Sequence, residues 1–144
     1  MKVQHFKNHA QMAPKSYYTA ILGALVVLIL ALINANDIVN HWNGFLMPVL
    51  VSGLAIGVIL TAWYARAFAL KAQDRAIRAE ENLRHYALTG KLLDSRLSIS
   101  QIIALRFAAD EEFVALAKKA ADENLTNKQI KQSIINWKAD WYRV

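Results

Sequence analysis

Between Ser16 and Ala65 the chain carries one charged residue, Asp37, in 50 positions; the other 27 of its 28 Lys, Arg, Asp and Glu residues lie outside that window. Few folds accept such a stretch. It is too apolar to stay disordered, and too long a share of 144 residues for a soluble domain to bury. Two apolar runs fill it. Tyr17 to Ile33 is 17 residues, or 19 when extended to Ala35, and Phe45 to Ala65 is 21. About 20 apolar helical residues cross about 30 Å of hydrocarbon. Pro48 falls in the first turn of the second run, where a missing N–H costs least. The link between the runs holds four asparagines and Gly44. The pattern predicts a transmembrane helical hairpin. A cleaved signal peptide is the competing reading of the first run. It fits poorly, because the run ends in Asn34-Ala35-Asn36-Asp37 and a second span follows almost at once.

Lysine and arginine set the expected orientation. Lys2, Lys7 and Lys15 precede the first run, the link has none, and Arg66, Lys71, Arg75 and Arg78 follow the second. Both termini are therefore expected in the cytoplasm. The interiors of the runs hold no Asp, Glu, Lys, Arg or His. Proton relays and ion pathways depend on such groups, so transport by this chain alone is not expected. With no cysteine there is no thiolate metal site and no cysteine nucleophile. Gly53 and Gly57 are spaced by four, and Gly23 lies between Ala20 and Ala24. Small residues at this spacing let helices approach closely. They suit either a partner helix or packing within the hairpin, and both readings stay open.

Residues 66–144 hold 14 Lys/Arg and 10 Asp/Glu, one glycine and no proline. Nothing alternates with period two, so helix is expected throughout. Ala72, Ala76, Ala79, Leu83, Tyr86 and Gly90 follow at +4, +3, +4, +3 and +4, a heptad-like stripe on a helix that continues the second span. The stripe is expected to pack on the helices that follow, with Gly90 as the stop. Ser98 with Gln101, and Thr126 with Gln129, read as capping boxes with hydrophobic staples. Asp110 reads as a cap for a helix opening Glu111-Glu112. These signals predict helices near 98–108, 110–123 and 126–142. Ile130, Ile134, Trp137 and Trp141 would share one face of the last. A small core built with Ile102, Leu105, Phe107, Phe113, Leu116 and Ile135 is preferred to a tryptophan binding ridge.

Other motifs carry little chemistry. Residues 125–130 resemble the first helix of a helix-turn-helix, but no recognition helix is available after it, so no nucleic-acid partner is expected. His5 and His9 are four apart, as two ligands on one helix face would be, yet no carboxylate or cysteine nearby completes a metal site. An amphipathic segment with Phe6 and Met12 at the headgroups is the alternative. No phosphate loop, catalytic triad or cofactor motif is present, and no metal or cofactor is expected.

Three phrases nevertheless stand together: Gln4-His5-Phe6-Lys7-Asn8-His9-Ala10-Gln11, then Ala104-Leu105-Arg106-Phe107-Ala108 with Asp110-Glu111-Glu112-Phe113, and Ile130-Lys131 with Asn136-Trp137-Lys138-Ala139-Asp140. They resemble a family of small bacterial two-span membrane proteins of uncharacterised function, along the whole chain. The resemblance implies a shared role for Phe6, Asn8, His9, Arg106, Asp110, Trp137 and Asp140, and adds no catalytic or ligand residue.

The combined expectation is an all-α protein with three parts. An N-terminal cytoplasmic segment covers 1–16, a transmembrane hairpin 17–65, and a cytoplasmic helical domain 66–144. It is expected in the bacterial inner membrane, its partners the lipid bilayer and other membrane proteins or further copies of itself. The expected role is a non-catalytic accessory or scaffold subunit; a membrane-tethered regulator or sensor is the alternative. A subunit lending Arg106 or His9 to a shared site is a third reading. Candidate contacts are Gly23, Gly53 and Gly57 in the membrane, and Trp137, Trp141, Arg106 and His9 outside it.

Overall fold

A computed structural model describes residues 4–10, 12–38 and 46–140. Its helices are α1 (Lys15–Ile38), α2 (Leu46–Thr89), α3 (Ile99–Leu105), α4 (Asp110–Asp122) and α5 (Asn127–Ser133). The described residues are all-helical in their regular structure, as expected. Both α1 and α2 are long and apolar enough to cross a membrane. The chain divides into two units. One is Met12–Ala69; the other joins Met1–Gln11 to Leu70–Val144.

In the first unit α1 and the apolar half of α2 lie antiparallel. The Arg66 guanidinium sits 5.5 Å over the Tyr17 ring. Nearer the other end, Val27, Leu30, Ala31 and Asn34 of α1 line a groove of about 270 Å³ with Met47, Pro48 and Val51 of α2. Among the described residues of this unit, Ala13, Ala24, Ala31, Pro48 and Ala55 are buried. Most larger aliphatic side chains, among them Leu22, Leu32 and Leu54, are exposed. Close approach therefore rests on alanines. A Cβ added at Gly23, Gly53 or Gly57 would meet nothing within 4 Å, so packing within the hairpin is not what these glycines serve. α1 also runs past the expected end at Ala35, to Ile38.

In the second unit α2 stops where expected. Gly90 has φ +72, and its N–H bonds the Tyr86 carbonyl at 2.7 Å. Both capping boxes form, at Ser98–Gln101 and Thr126–Gln129. The two capped ends are also tied together. Gln101 Nε2 donates to the Leu125 carbonyl at 2.9 Å, and Asn127 Nδ2 to that of Ser100 at 2.7 Å. Asn124, at φ 50, closes α4, and the Leu125 N–H reaches back to the Ala120 carbonyl. Around Phe107, Phe113, Leu105 and Ile130, all fully buried, pack Leu93, Leu97, Ile102, Leu116, Ala120 and Ile134.

Four expectations are corrected. First, the last helix ends at Ser133, not near 142. Ile134 turns to ψ 123, and its neighbour is another β-branched residue, for which helix is a poorer choice. The chain then pairs antiparallel with the end of α3, bridging Ala108 to Trp137, with Ala109 N–H to the Asn136 carbonyl at 3.0 Å and Lys138 N–H to that of Phe107 at 2.8 Å. Ile130, Ile134 and Trp137 therefore share no helix face, and Ile135 is 84% exposed rather than in the core. Second, the residue capping α4 is Ala109, without a side-chain bond; Asp110 is inside the helix, and its carboxylate binds Arg84 instead. Third, His5 and His9 share no helix. Residues 6–8 form a turn in which Asn8 Oδ1 accepts the His5 N–H at 2.6 Å and the Asn8 N–H returns to the His5 carbonyl at 3.0 Å. Fourth, the stripe from Ala72 to Gly90 is exposed; α2 instead buries Ile77 and Glu81.

These contacts distinguish two substitutions in the hairpin. Gly57→Leu enters open space and is expected to destabilise the isolated monomer by less than about 0.5 kcal/mol. Ala55→Leu, at a position 3% exposed, is expected to cost about 1–3 kcal/mol through overpacking. Thermal unfolding in detergent, followed by circular dichroism, measures both.

Candidate functional site

Phe6, Asn8, His9, Arg106, Asp110, Trp137 and Asp140 all lie in the second unit. The turn at residues 5–8 brings Phe6 and His9 onto the strand-like segment and α5. The His9 ring stacks on Phe6 at 5.8 Å, meets Phe107 edge-on at 5.7 Å and tilts against Trp137 at 5.8 Å. Phe107 and Trp137 are 5.2 Å apart. Both imidazole nitrogens are engaged. Nδ1 is 2.6 Å from the Phe6 carbonyl and Nε2 is 3.1 Å from the Lys131 ammonium. A carbonyl only accepts and an ammonium only donates. The neutral ring with its proton on Nδ1 satisfies both.

Two cations flank Phe107. Lys131 Nζ lies 5.6 Å and Arg106 Cζ 4.7 Å from its ring centre, where the negative face of the ring attracts them. Arg106 Nε pairs with Asp140 Oδ2 at 3.1 Å; the side chains are 7% and 24% exposed. Gln4 Oε1 accepts the Asp140 N–H at 2.8 Å. One end of the chain is thus hydrogen-bonded directly to the other. Glu112 holds the same segment from α4, its two oxygens accepting the N–H groups of Ile135 and Asn136 at 3.1 and 2.9 Å.

Arg84 joins α2 to this arrangement, and sequence reasoning passed over it. It donates to Asp110 at 2.6 Å, Glu81 at 3.0 Å and the Ala108 carbonyl at 2.7 Å, and its guanidinium lies 4.2 Å over the Phe113 ring. Only the Glu81–Arg84 spacing of three hinted at it. Gln4 and Lys131 were legible only as members of the quoted phrases. A cleft of about 390 Å³ opens beside the Arg106–Asp140 pair, lined by Ile77, Glu80, Glu81, Lys138 and Ala139. Of the other candidates, Gly23, Gly53 and Gly57 lie in the hairpin unit, and Trp141 falls outside the described residues.

An all-helical chain with two apolar helices of membrane-crossing length and a clasped helical unit is the class these features define. The model of a family of unknown function, DUF6526, matches residues 1–144, and the chain belongs to that family. No curated protein matches it, and no solved structure does.

Two predictions follow from the ion pairs. Asp140→Ala removes a carboxylate from a buried guanidinium and is expected to cost about 3 kcal/mol, whereas Arg106→Met with Asp140→Leu recovers most of that loss. Urea unfolding of the full chain in detergent, followed by tryptophan fluorescence, compares them. The second concerns pH. Hydrogen bonds from the Arg96 side chain and backbone lower Asp94 from 3.8 to about 2. Its contribution is present above the ordinary value and is lost as pH falls through about 2. Glu81 lies beyond the apolar run, and burial pushes its carboxyl up against the pull of Arg84. Its contribution is present below 4.5 and is lost as pH rises through the raised folded value. Asp94→Asn should flatten the acid limb of a stability–pH curve, and Glu81→Gln the limb above 4.5.

Proposed function

We propose that this protein is a non-catalytic integral membrane protein, anchored in the bacterial inner membrane by its apolar hairpin with both termini cytoplasmic. Its second unit serves as an accessory or scaffold subunit of a larger membrane assembly or of a homo-oligomer. One observation carries the reading: the side chains best suited to chemistry hold one another. Both ring nitrogens of His9, the Arg106–Asp140 pair, both Glu112 oxygens and the three-way fork of Arg84 fasten chain segments together. Such a network makes a small helical unit rigid, which suits a docking body. The basic residues flanking the apolar runs, with none in the link, support the orientation.

A regulator is the second reading, and the His9–Lys131 contact favours it. That contact joins the N-terminal turn to α5 at 3.1 Å, so a soluble partner or ligand that displaced it would free one from the other.

Isolation from native membranes in mild detergent, with mass spectrometry of copurifying proteins and the particle mass, tests the proposal. Larger membrane proteins at fixed ratio are the result expected of an accessory subunit; a particle of this chain alone supports the homo-oligomer. Release from the membrane by alkaline carbonate overturns the anchored reading. A turnover activity lost in His9→Ala, with folding intact, overturns the non-catalytic one.

A further inference from the structure

The second half of α2 is two-faced. Ile77 and Glu81 are buried and Arg84 and His85 half-buried, on the side occupied by the helical unit. Ala72, Ala76, Ala79, Leu83, Tyr86 and Gly90 are all exposed, Leu83 by 68% and Tyr86 by 54%. The following helices therefore do not cover the face that sequence periodicity marks as apolar.

The register of that face names its occupant. With Ala76 and Leu83 at heptad position a, and Ala72, Ala79 and Tyr86 at d, Arg75 falls at g and Glu80 at e. In a parallel, in-register pair, g of one helix meets the e five residues later on the other. That places Arg75 of each copy against Glu80 of its twin, twice by symmetry. Arg75 and Glu80 are both exposed. The remaining flanking residues, Gln73, Asn82, Ala87 and Thr89, add no like-charge conflict. Alanines at 72, 76 and 79 permit an interaxial distance near the lower end of about 8–10 Å. Two heptads alone are short for a coiled coil in water. Anchoring raises the effective concentration of one copy around another, and copies inserted through the same hairpin carry α2 in the same direction.

We propose that α2 pairs with α2 of a second copy, parallel and in register, along Ala72 to Tyr86, making the protein a homodimer. The proposal rests on the membrane-anchored reading and specifies its partner.

The absence of cysteine from the chain makes a direct test available. Single-cysteine variants of the full chain, Ala76→Cys, Ala79→Cys and the control Arg78→Cys, are reconstituted in lipid vesicles and oxidised. Disulfides need Cα atoms within about 7 Å, so the two stripe positions should cross-link at least about tenfold faster than the control. Arg75→Glu should slow cross-linking through Ala79→Cys, and adding Glu80→Arg should restore it. Circular dichroism confirms that each variant is folded. Equal rates at all three positions, or no rescue by the charge swap, overturn the dimer while leaving the anchored reading intact. A chain that floats free of the vesicles overturns both.

Discussion

The guanidinium of Arg84 sits where three segments must be held at once. The core of the second unit rests on two seven-residue helices and one of thirteen, and helices that short are not stable alone. Their junction, from Arg106 to Ala109, leaves helix and exposes carbonyls that need donors. Arg84 supplies one at Ala108, holds the first residue of α4 through Asp110, and places its guanidinium over the Phe113 ring. Planarity and five donors make arginine suited to this; lysine offers neither. The orientation of α3 and α4 on the end of α2 follows from that fork.

A second constraint acts at the C-terminal side of α5. The segment after Ser133 could extend a helix or pair with the α3–α4 junction. Pairing engages both the Ala109 N–H and the Phe107 carbonyl, and Glu112 takes up the N–H groups of Ile135 and Asn136. This arrangement presents Trp137 to Phe107 and His9, and Asp140 to Arg106 and Gln4. The conversion of a helical stripe into a bridge is what assembles the aromatic cluster.

The hairpin follows another economy. A helix pair of membrane-crossing length that stood in hydrocarbon would have no reason to turn its apolar side chains inward, and its packing would rely on shape. Ala24, Ala31 and Ala55 supply it. The glycines, which sequence pattern alone leaves between two uses, lie on the outer surface of the hairpin. In the second half of α2 the stripe lies exposed in the same way, while the opposite face is committed to Ile77 and Glu81.

Local signals were legible because their physics is local. The window with a single charge defined two apolar helices, Gly90 ended α2, and the two capping boxes started α3 and α5, each through bonds within a few residues. The quoted phrases also pointed to residues that meet, though nothing in them stated how. What spacing could not reveal was any competition with distant partners. Glu112 and the Phe107 carbonyl drew residues 135–138 out of helix, Arg84 took Asp110 from its capping role, and α2 buried Ile77 rather than its alanine stripe. Sequence determined that α1 to α5 form and where most of them begin, since those choices are settled turn by turn, but not where α5 ends. Only the tertiary structure decided which faces are covered and which side chains clasp, because those depend on donors and acceptors brought together from opposite ends of the chain.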